Sequence, residues 1–210
     1  MKLIVITGSK TFPDEPSLVT KMFEDGLMTL HLRKPKLTTQ EMRDYIDEIP
    51  KYFHNRVIIH SHHILAAKYD LKGIHFTSTH LNKKWKYFFT RLRLRIKFGK
   101  LFKTRSYKRL TNIHNKEEHD FDYFLMGTVY NNLTGELYGG FYEEALIAAL
   151  KSTNKKIVAR GGVTDKVIEK TARYGFDGIA FSSYIWDNEN PCNQFLHIIR
   201  RFNELNIKIE

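Results

Sequence analysis

The feature that most restricts the fold of this chain of 210 residues is its alternation of short apolar runs with amphipathic stretches. Such alternation is typical of βα units that build a parallel sheet. Strands are predicted over residues 2–7, 28–33, 56–61, 73–78, 101–107, 122–129, 156–162 and 178–183. This count favours an α/β fold of one domain, a (β/α)8 TIM barrel over residues 1–210. A doubly wound open sheet is the alternative, because a miscount of one or two strands would change the architecture.

The predicted helices have recognisable boundary signals. They cover residues 16–25, 39–53, 64–69, 140–152, 165–174 and 193–204. Thr38 followed three residues later by Glu41 has the pattern of a capping box. Thr164 is the predicted N-cap of the helix over 165–174, and Gly175 is expected to end that helix.

The positive charge of the chain is concentrated in one segment. Lys and Arg number 34 against 23 Asp and Glu, a net charge of +11, which points to a partner that carries phosphate. Residues 71–116 hold 14 of these cations and no acidic residue, so the rest of the chain is slightly acidic. Within this segment, residues 83–98 interleave cations with aromatic and aliphatic side chains, as single-strand nucleic-acid binders do. A solvated basic face or a subunit contact is favoured over nucleic acid.

Other features restrict the location of the protein and its cross-links. Cys192 is the only cysteine, which excludes a disulfide within the chain and a cysteine-rich zinc site. The start of the chain does not resemble a secretory signal, and no apolar run reaches the roughly 18 residues of a membrane helix. We therefore expect a cytoplasmic protein with no membrane partner, and its aromatic content allows a homodimer.

Two predicted strand ends carry residues suited to phosphate. In a parallel barrel the working residues lie at the carboxyl ends of the strands. Gly161 and Gly162 end the seventh predicted strand, and Ser182 and Ser183 end the eighth. Glycines let an anion approach the backbone, and hydroxyls add donors. These residues predict a phosphate site; a simple tight turn is the alternative for the glycines.

A series of short motifs runs in register along most of the chain. The motifs are TLHLRK at 29–34, VIIHS at 57–61, KGIHF at 72–76, DYFLMG at 122–127, ARGGVT at 159–164 and GFDGIA at 175–180. In order and spacing they resemble the thiamine phosphate synthase family, with its relative thiazole tautomerase, over residues 2–186. The resemblance implies a TIM-barrel transferase of thiamine biosynthesis. Such an enzyme joins hydroxymethylpyrimidine diphosphate to thiazole phosphate and releases pyrophosphate.

The resemblance also implies roles for individual residues. Arg33 matches the family's pyrophosphate-binding arginine. Lys34 and Lys36 could supply the charge of a motif lysine that falls on Pro35. Gly161, Gly162 and Ser183 match the family's thiazole-phosphate site, and Thr134 falls on a threonine of its loop after strand six. The candidate substrate and phosphate site also includes Ser182 and His60, which stands where the family has an asparagine.

Departures from the family pattern put the metal in question. The family's two magnesium carboxylates fall on Ser61 and His80. Magnesium prefers oxygen ligands, and its usual carboxylates are absent here, so a magnesium ion is possible only with other ligands. His80 is the candidate metal ligand in their place. The loop after the sixth predicted strand also lacks the family's lysine. These departures leave open a phosphate-binding or nucleic-acid-binding barrel without activity.

A tautomerase-like isomerase is the second activity that the resemblance suggests. The histidine that moves a proton in that branch falls on Lys108. Repulsion from Arg105 and Arg109 would favour a neutral lysine that can act as a base. The alternative is that Lys108 only binds phosphate.

The histidines allow a further interpretation, a transition-metal site. His60 and His62 have the H-x-H spacing of barrel metallohydrolases, and the neighbouring candidates are His63, His75 and His80. However, His60 and His62 lie on the same face only if the strand continues through both. In addition, no aspartate that could serve as a further ligand lies near the end of the eighth predicted strand. Core or solvent-exposed histidines are therefore favoured over metal ligands.

Overall fold

The computed structural model describes residues 1–9, 12, 14–77, 101–116, 121–139 and 141–210. Its strands follow one another in the order β1 to β8 in a closed barrel. They are β1 (Lys2–Ile6), β2 (Leu30–Leu32), β3 (Val57–Ile59), β4 (Gly73–Phe76), β5 (Phe102–Tyr107), β6 (Tyr123–Met126), β7 (Ile157–Arg160) and β8 (Gly178–Phe181). The predicted (β/α)8 TIM barrel is confirmed, and the open-sheet alternative is wrong.

Helices alternate with these strands. The α-helices described are α1 (Glu15–Glu24), α2 (Thr39–Asp47), α3 (Ile64–Lys68), α4 (Glu143–Lys151), α5 (Ile168–Tyr174), α6 (Ser183–Trp186) and α7 (Pro191–Glu204). Short 3-10 helices cover Lys51–Arg56, Leu110–His114 and Asp165–Val167. Among the described residues, no helix is long and apolar enough to cross a membrane.

The contacts of the chain form two compact units. The N-terminal unit is Ile6–Arg105, and the C-terminal unit combines Met1–Val5 with Ser106–Glu210. That residues 1–210 form a single domain stays a prediction. The basic run at residues 83–97, with the alternation that ends at residue 98, lies outside the described residues.

In the N-terminal unit, β2, β3, β4 and β5 pair in parallel. The predicted capping box is confirmed: the hydroxyl of Thr38 accepts the N–H of Glu41, and the Glu41 carboxylate accepts the N–H of Thr38. The helix that follows ends at Asp47 and not at residue 53 as predicted. Pro50 explains the difference, because proline lacks an N–H and disfavours helical backbone in the residue before it.

In the C-terminal unit, β1 pairs with β8, β8 with β7, and β7 with β6. Gly175 ends α5 in the left-handed region with φ 93°, as predicted. Thr164 lies at the N-cap position before Asp165, as predicted, but its side chain makes no capping hydrogen bond, and the first turn, Asp165–Val167, is 3-10 before α5 begins. The sequence pattern also missed α6. It placed the start of the last helix two residues late, since Asn190 is the N-cap and accepts the N–H of Asn193 at 3.0 Å.

Candidate active site

The turn after β7 is built from two glycines in the left-handed region. Gly161 has φ 83° and Gly162 has φ 68°, which other residues adopt only with strain. A Cβ on Gly162 would overlap the carbonyl group of Tyr130, and one on Gly161 would lie 2.9 Å from Cα of Thr128. The glycines therefore let the β7 turn pack directly on the backbone of the segment after β6.

Backbone hydrogen bonds hold these two segments together. The N–H of Val129 donates to the carbonyl of Arg160, and the N–H of Tyr130 donates to the carbonyl of Gly161, each at 3.1 Å. The register of β7 and β8 pairs Arg160 with Ala180. The glycine turn and the two serines after β8 are therefore at the ends of neighbouring strands.

Ser182 and Ser183 differ in exposure. Ser182 is half-buried, and its carbonyl accepts the N–H groups of Ile185 and Trp186 at the start of α6. Ser183 is exposed. The hydroxyls thus follow the strand that neighbours the glycine turn, where the sequence predicts a phosphate site.

Thr134 and Lys108 occupy other parts of the C-terminal unit. Thr134 is exposed in a tight loop, where its hydroxyl accepts the N–H of Glu136 at 3.2 Å. Lys108 is exposed directly after β5, whose last carbonyl, on Tyr107, accepts the N–H of Gly127 at 3.1 Å. Lys108 therefore follows a strand end next to that of β6, and its role as a base stays a prediction.

In the N-terminal unit, the residue after β2 is Arg33, and Thr7 holds its backbone. The Thr7 hydroxyl accepts the N–H of Arg33 at 2.8 Å and donates to the carbonyl of Arg33 at 3.2 Å. The side chains of Arg33 and Lys36 are exposed. These two hydrogen bonds, here called the clasp, hold the backbone of Arg33 in place. The guanidinium is exposed and can donate to an anionic ligand.

Lys34 does not supply charge to a ligand, contrary to the sequence-based expectation. Its ammonium group lies 2.5 Å from Glu15 Oε2, and neither side chain is exposed to solvent. Glu15 also accepts the hydroxyl of Tyr45 at 3.0 Å and the N–H of Phe12 at 3.2 Å. Burial lowers the pKa of Lys34, and its hydrogen bond with Glu15 opposes that shift. The lysine belongs to a buried network.

Three histidines from neighbouring strands meet inside the N-terminal unit. His31 lies in β2, His60 directly after β3 and His75 in β4. His31 Nδ1 and His60 Nε2 share a hydrogen bond of 2.8 Å, while the rings of His60 and His75 stack with centroids 4.1 Å apart. Burial, followed by the charges of neighbouring histidines and Arg33, holds the pKa of His60 well below its usual value. The His60 imidazole is therefore neutral at pH 7.

The other histidines of the predicted cluster are elsewhere or undescribed. His62 Nε2 contacts the carbonyl of Leu37 at 2.9 Å, and His63 Nε2 contacts the carbonyl of His75 at 3.1 Å. His80 lies outside the described residues. His60 and His62, the H-x-H pair, therefore make different contacts. The histidine that hydrogen-bonds His60 is His31 of β2, which the sequence pattern did not single out.

Comparison with known proteins identifies the family. A sequence model of the family described as thiamine monophosphate synthase matches residues 3–185. The chain belongs to this family. It is an enzyme of the thiamine phosphate synthase type, a transferase of thiamine biosynthesis. The chain is 23% identical over 190 residues to thiamine-phosphate synthase 1 of Aquifex aeolicus, covering 88% of this chain and 85% of that protein.

Solved structures of this family share the fold. A thiamine phosphate pyrophosphorylase from Bacteroides thetaiotaomicron superposes with a TM-score of 0.78 at 25% identity, covering 98% of each chain. One from Pyrococcus furiosus has a TM-score of 0.74 at 19% identity, covering 97% of this chain and 96% of the other. The barrel is therefore the one that these proteins use.

The described donors do not fit the magnesium ion that the family resemblance implies. Around the end of β3 they are imidazoles and the hydroxyl of Ser61, whose Oγ is buried without a hydrogen-bond partner among the described residues. The buried carboxylate of Glu15 is engaged by Lys34 and Tyr45. Magnesium requires mostly oxygen ligands in octahedral geometry, whereas imidazole suits transition metals.

Proposed function

We propose that the protein joins hydroxymethylpyrimidine diphosphate to thiazole phosphate and releases pyrophosphate. The observation that carries the proposal is the left-handed Gly161–Gly162 turn, packed on the segment after β6 beside the serines that follow β8. Membership of the thiamine monophosphate synthase family supplies the substrate class. No part of the proposal depends on magnesium.

The reaction replaces one bond of the pyrimidine's methylene carbon by another. The bond from that carbon to the diphosphate oxygen breaks, and its electron pair leaves with pyrophosphate. The lone pair of the thiazole nitrogen then forms the new carbon–nitrogen bond. Negative charge develops on the leaving oxygens, so fixed cationic donors accelerate this step.

In this proposal Arg33 contacts the leaving pyrophosphate. A guanidinium can donate two parallel hydrogen bonds to phosphate oxygens, and the clasp by Thr7 holds its backbone in place. Lys36 is the second exposed cation after β2. His60, directly after β3, is the proposed polar contact for the pyrimidine substrate.

The C-terminal unit would hold the thiazole phosphate. Gly161 and Gly162 allow the phosphate to approach the backbone, and Ser182 and Ser183 add hydroxyl donors. Thr134, at the tip of its loop, is a further proposed contact. All these residues belong to one compact unit.

The test is formation of thiamine phosphate from the two substrates, compared between wild type and Arg33→Gln. We expect kcat/KM to fall about 100-fold, as for other losses of a donor to a developing anion. Arg200→Gln, which removes an exposed arginine of α7, is the matched control and should retain wild-type kcat/KM. Wild-type protein that forms no thiamine phosphate, with or without added divalent cations, would refute the proposal.

The same assay separates the synthase from an isomerase. Wild type that does not join the substrates but isomerises thiazole phosphate would support the tautomerase-like alternative. Lys108→Ala should then abolish isomerisation if Lys108 is the base, and raise only KM if it binds phosphate.

We place the protein in the cytoplasm, where the family's biosynthetic enzymes work.

A further inference from the structure

The His31–His60–His75 cluster has a geometry that a substrate contact from His60 alone would not require. One nitrogen atom from each of the three imidazoles lies within 4.8 Å of the other two. All three residues are buried, with exposed fractions of 0%, 9% and 2% respectively. They come from adjacent strands of the N-terminal unit, so their backbones are held by the sheet.

We propose that His31, His60 and His75 together bind one divalent transition-metal ion of the zinc class. Three imidazole ligands with the fourth position left to water or another oxygen is a common arrangement for zinc. Imidazole is a ligand that zinc, copper, nickel and iron all accept, while magnesium prefers oxygen. All three ligands lie in the described part of the chain, and the site does not depend on the proposed function.

The hydrogen bonds around the cluster indicate which atoms would face the ion. His75 Nδ1 is paired with the hydroxyl of Thr104 at 2.8 Å, so His75 would bind the metal through Nε2. Metal-binding histidines commonly use their second nitrogen in this way, which fixes the ring's orientation and tautomer. His31 Nδ1 and His60 Nε2 already face each other.

Binding would require the three nitrogens, which lie within 4.8 Å of one another, to adjust their spacing. Two nitrogens at about 2.0–2.1 Å from one tetrahedral ion are about 3.3 Å apart. His31 Nδ1 and His60 Nε2 are now 2.8 Å apart, so an ion would replace their hydrogen bond and the stack of His60 on His75. The proton shared by the first pair would move to the second nitrogen of its ring. Each ligand then stays neutral, the form that binds metal.

The experiment is a titration of untagged, metal-free protein with Co²⁺, followed by the visible absorption of the tetrahedral ion, with Zn²⁺ as competitor and no substrate present. We expect one ion per chain and a higher Tm with bound metal. His75→Gln should weaken binding by about 100-fold or more. Thr104→Val keeps all three ligands and should weaken binding by about 10-fold. His62→Asn, next to the cluster but bonded to Leu37, is the matched control and should bind like wild type.

The outcomes separate the metal site from the proposed reaction, because no substrate enters the titration. Wild type that binds no stoichiometric ion overturns the metal site, whether or not it forms thiamine phosphate. A His62→Asn variant as weak as His75→Gln overturns the assignment of ligands. If His75→Gln does not fold, Thr104→Val decides the question: wild-type affinity in that variant overturns the proposal.

Discussion

Lys34 and Glu15 form an ion pair of 2.5 Å in which neither side chain reaches solvent. They are 19 residues apart, Lys34 two residues beyond the end of β2 and Glu15 at the start of α1. Tyr45 of α2 donates to the second oxygen of the same carboxylate. The pair therefore ties one strand end to two helices of the N-terminal unit.

Breaking this pair should be costly. In Glu15→Leu the buried Lys34 ammonium loses its carboxylate counter-charge, and we expect the free energy of unfolding to fall by about 3–5 kcal/mol. Denaturant unfolding monitored by circular dichroism measures the change. The double variant Glu15→Leu/Lys34→Met, with no buried charge left, should recover most of the loss. An equal loss in the single and double variants would contradict this account.

The hydroxyl of Tyr130 should matter for stability and for its dependence on alkaline pH. It lies 2.7 Å from Thr171 Oγ1, which itself donates to the carbonyl of Val167, so Tyr130 is the donor. Tyr130→Phe should lower the free energy of unfolding by about 1 kcal/mol. Tyr52→Phe, at an exposed ring, is the control and should unfold like wild type.

Burial raises the pKa of Tyr130 to about 12 from a usual value near 10. The unfolded chain therefore loses this proton at lower pH than the folded protein does. The contribution of the protonated Tyr130 hydroxyl to the free energy of unfolding is complete below pH 10 and is lost as the pH rises through 12. Tm measured from pH 8 to 12 should fall less steeply in Tyr130→Phe than in wild type. Parallel curves would refute this role of the hydroxyl.

The Gly161–Gly162 turn should tolerate no side chain at its second position. In Gly162→Ala the new Cβ would overlap the carbonyl of Tyr130, and the left-handed conformation adds about 1–2 kcal/mol of strain. We expect reduced stability and a KM for thiazole phosphate raised at least about 10-fold, because the turn must shift. Steady-state kinetics at varied thiazole phosphate measures the second effect.

Gly175→Ala is the matched control for the turn. Gly175 is also left-handed, with φ 93°, but a Cβ there meets nothing within 4 Å. This variant should lose stability from backbone strain alone and keep the wild-type KM. A raised KM in Gly175→Ala, or an unchanged one in Gly162→Ala, would show that the turn after β7 does not position the phosphate.

Features that depend on neighbouring residues in the chain could be predicted from the sequence. The capping box of Thr38 and Glu41 joins residues three apart, and Gly175 ends its helix through its own backbone conformation. The order of strands and helices follows from local periodicity in the same way. Thr164 shows the limit of this reasoning. It lies at the N-cap position of a 3-10 turn, but its side chain makes no capping hydrogen bond.

The site was predicted in part for the same reason. Gly161 and Gly162 are recognisable because only glycine suits two successive left-handed positions, and Arg33 was recognisable from its motif. Lys34 was misassigned because its partner is distant in sequence. The sequence held one signal that Lys34 is buried, namely the apolar residues of β2 just before it. A polar side chain inside a protein needs a partner.

The sequence by itself determined the alternation of strands and helices, since each element depends on residues within a few positions, and its motifs pointed to the family. It favoured a closed barrel but left an open sheet as the alternative, which the tertiary structure decided. Only the tertiary structure decided which polar side chains meet. His31 and His75 lie in two strands and His60 directly after a third, and Lys34 meets Glu15 across the N-terminal unit. Parallel strands bring such residues together through the register between them, which no single segment of the sequence encodes.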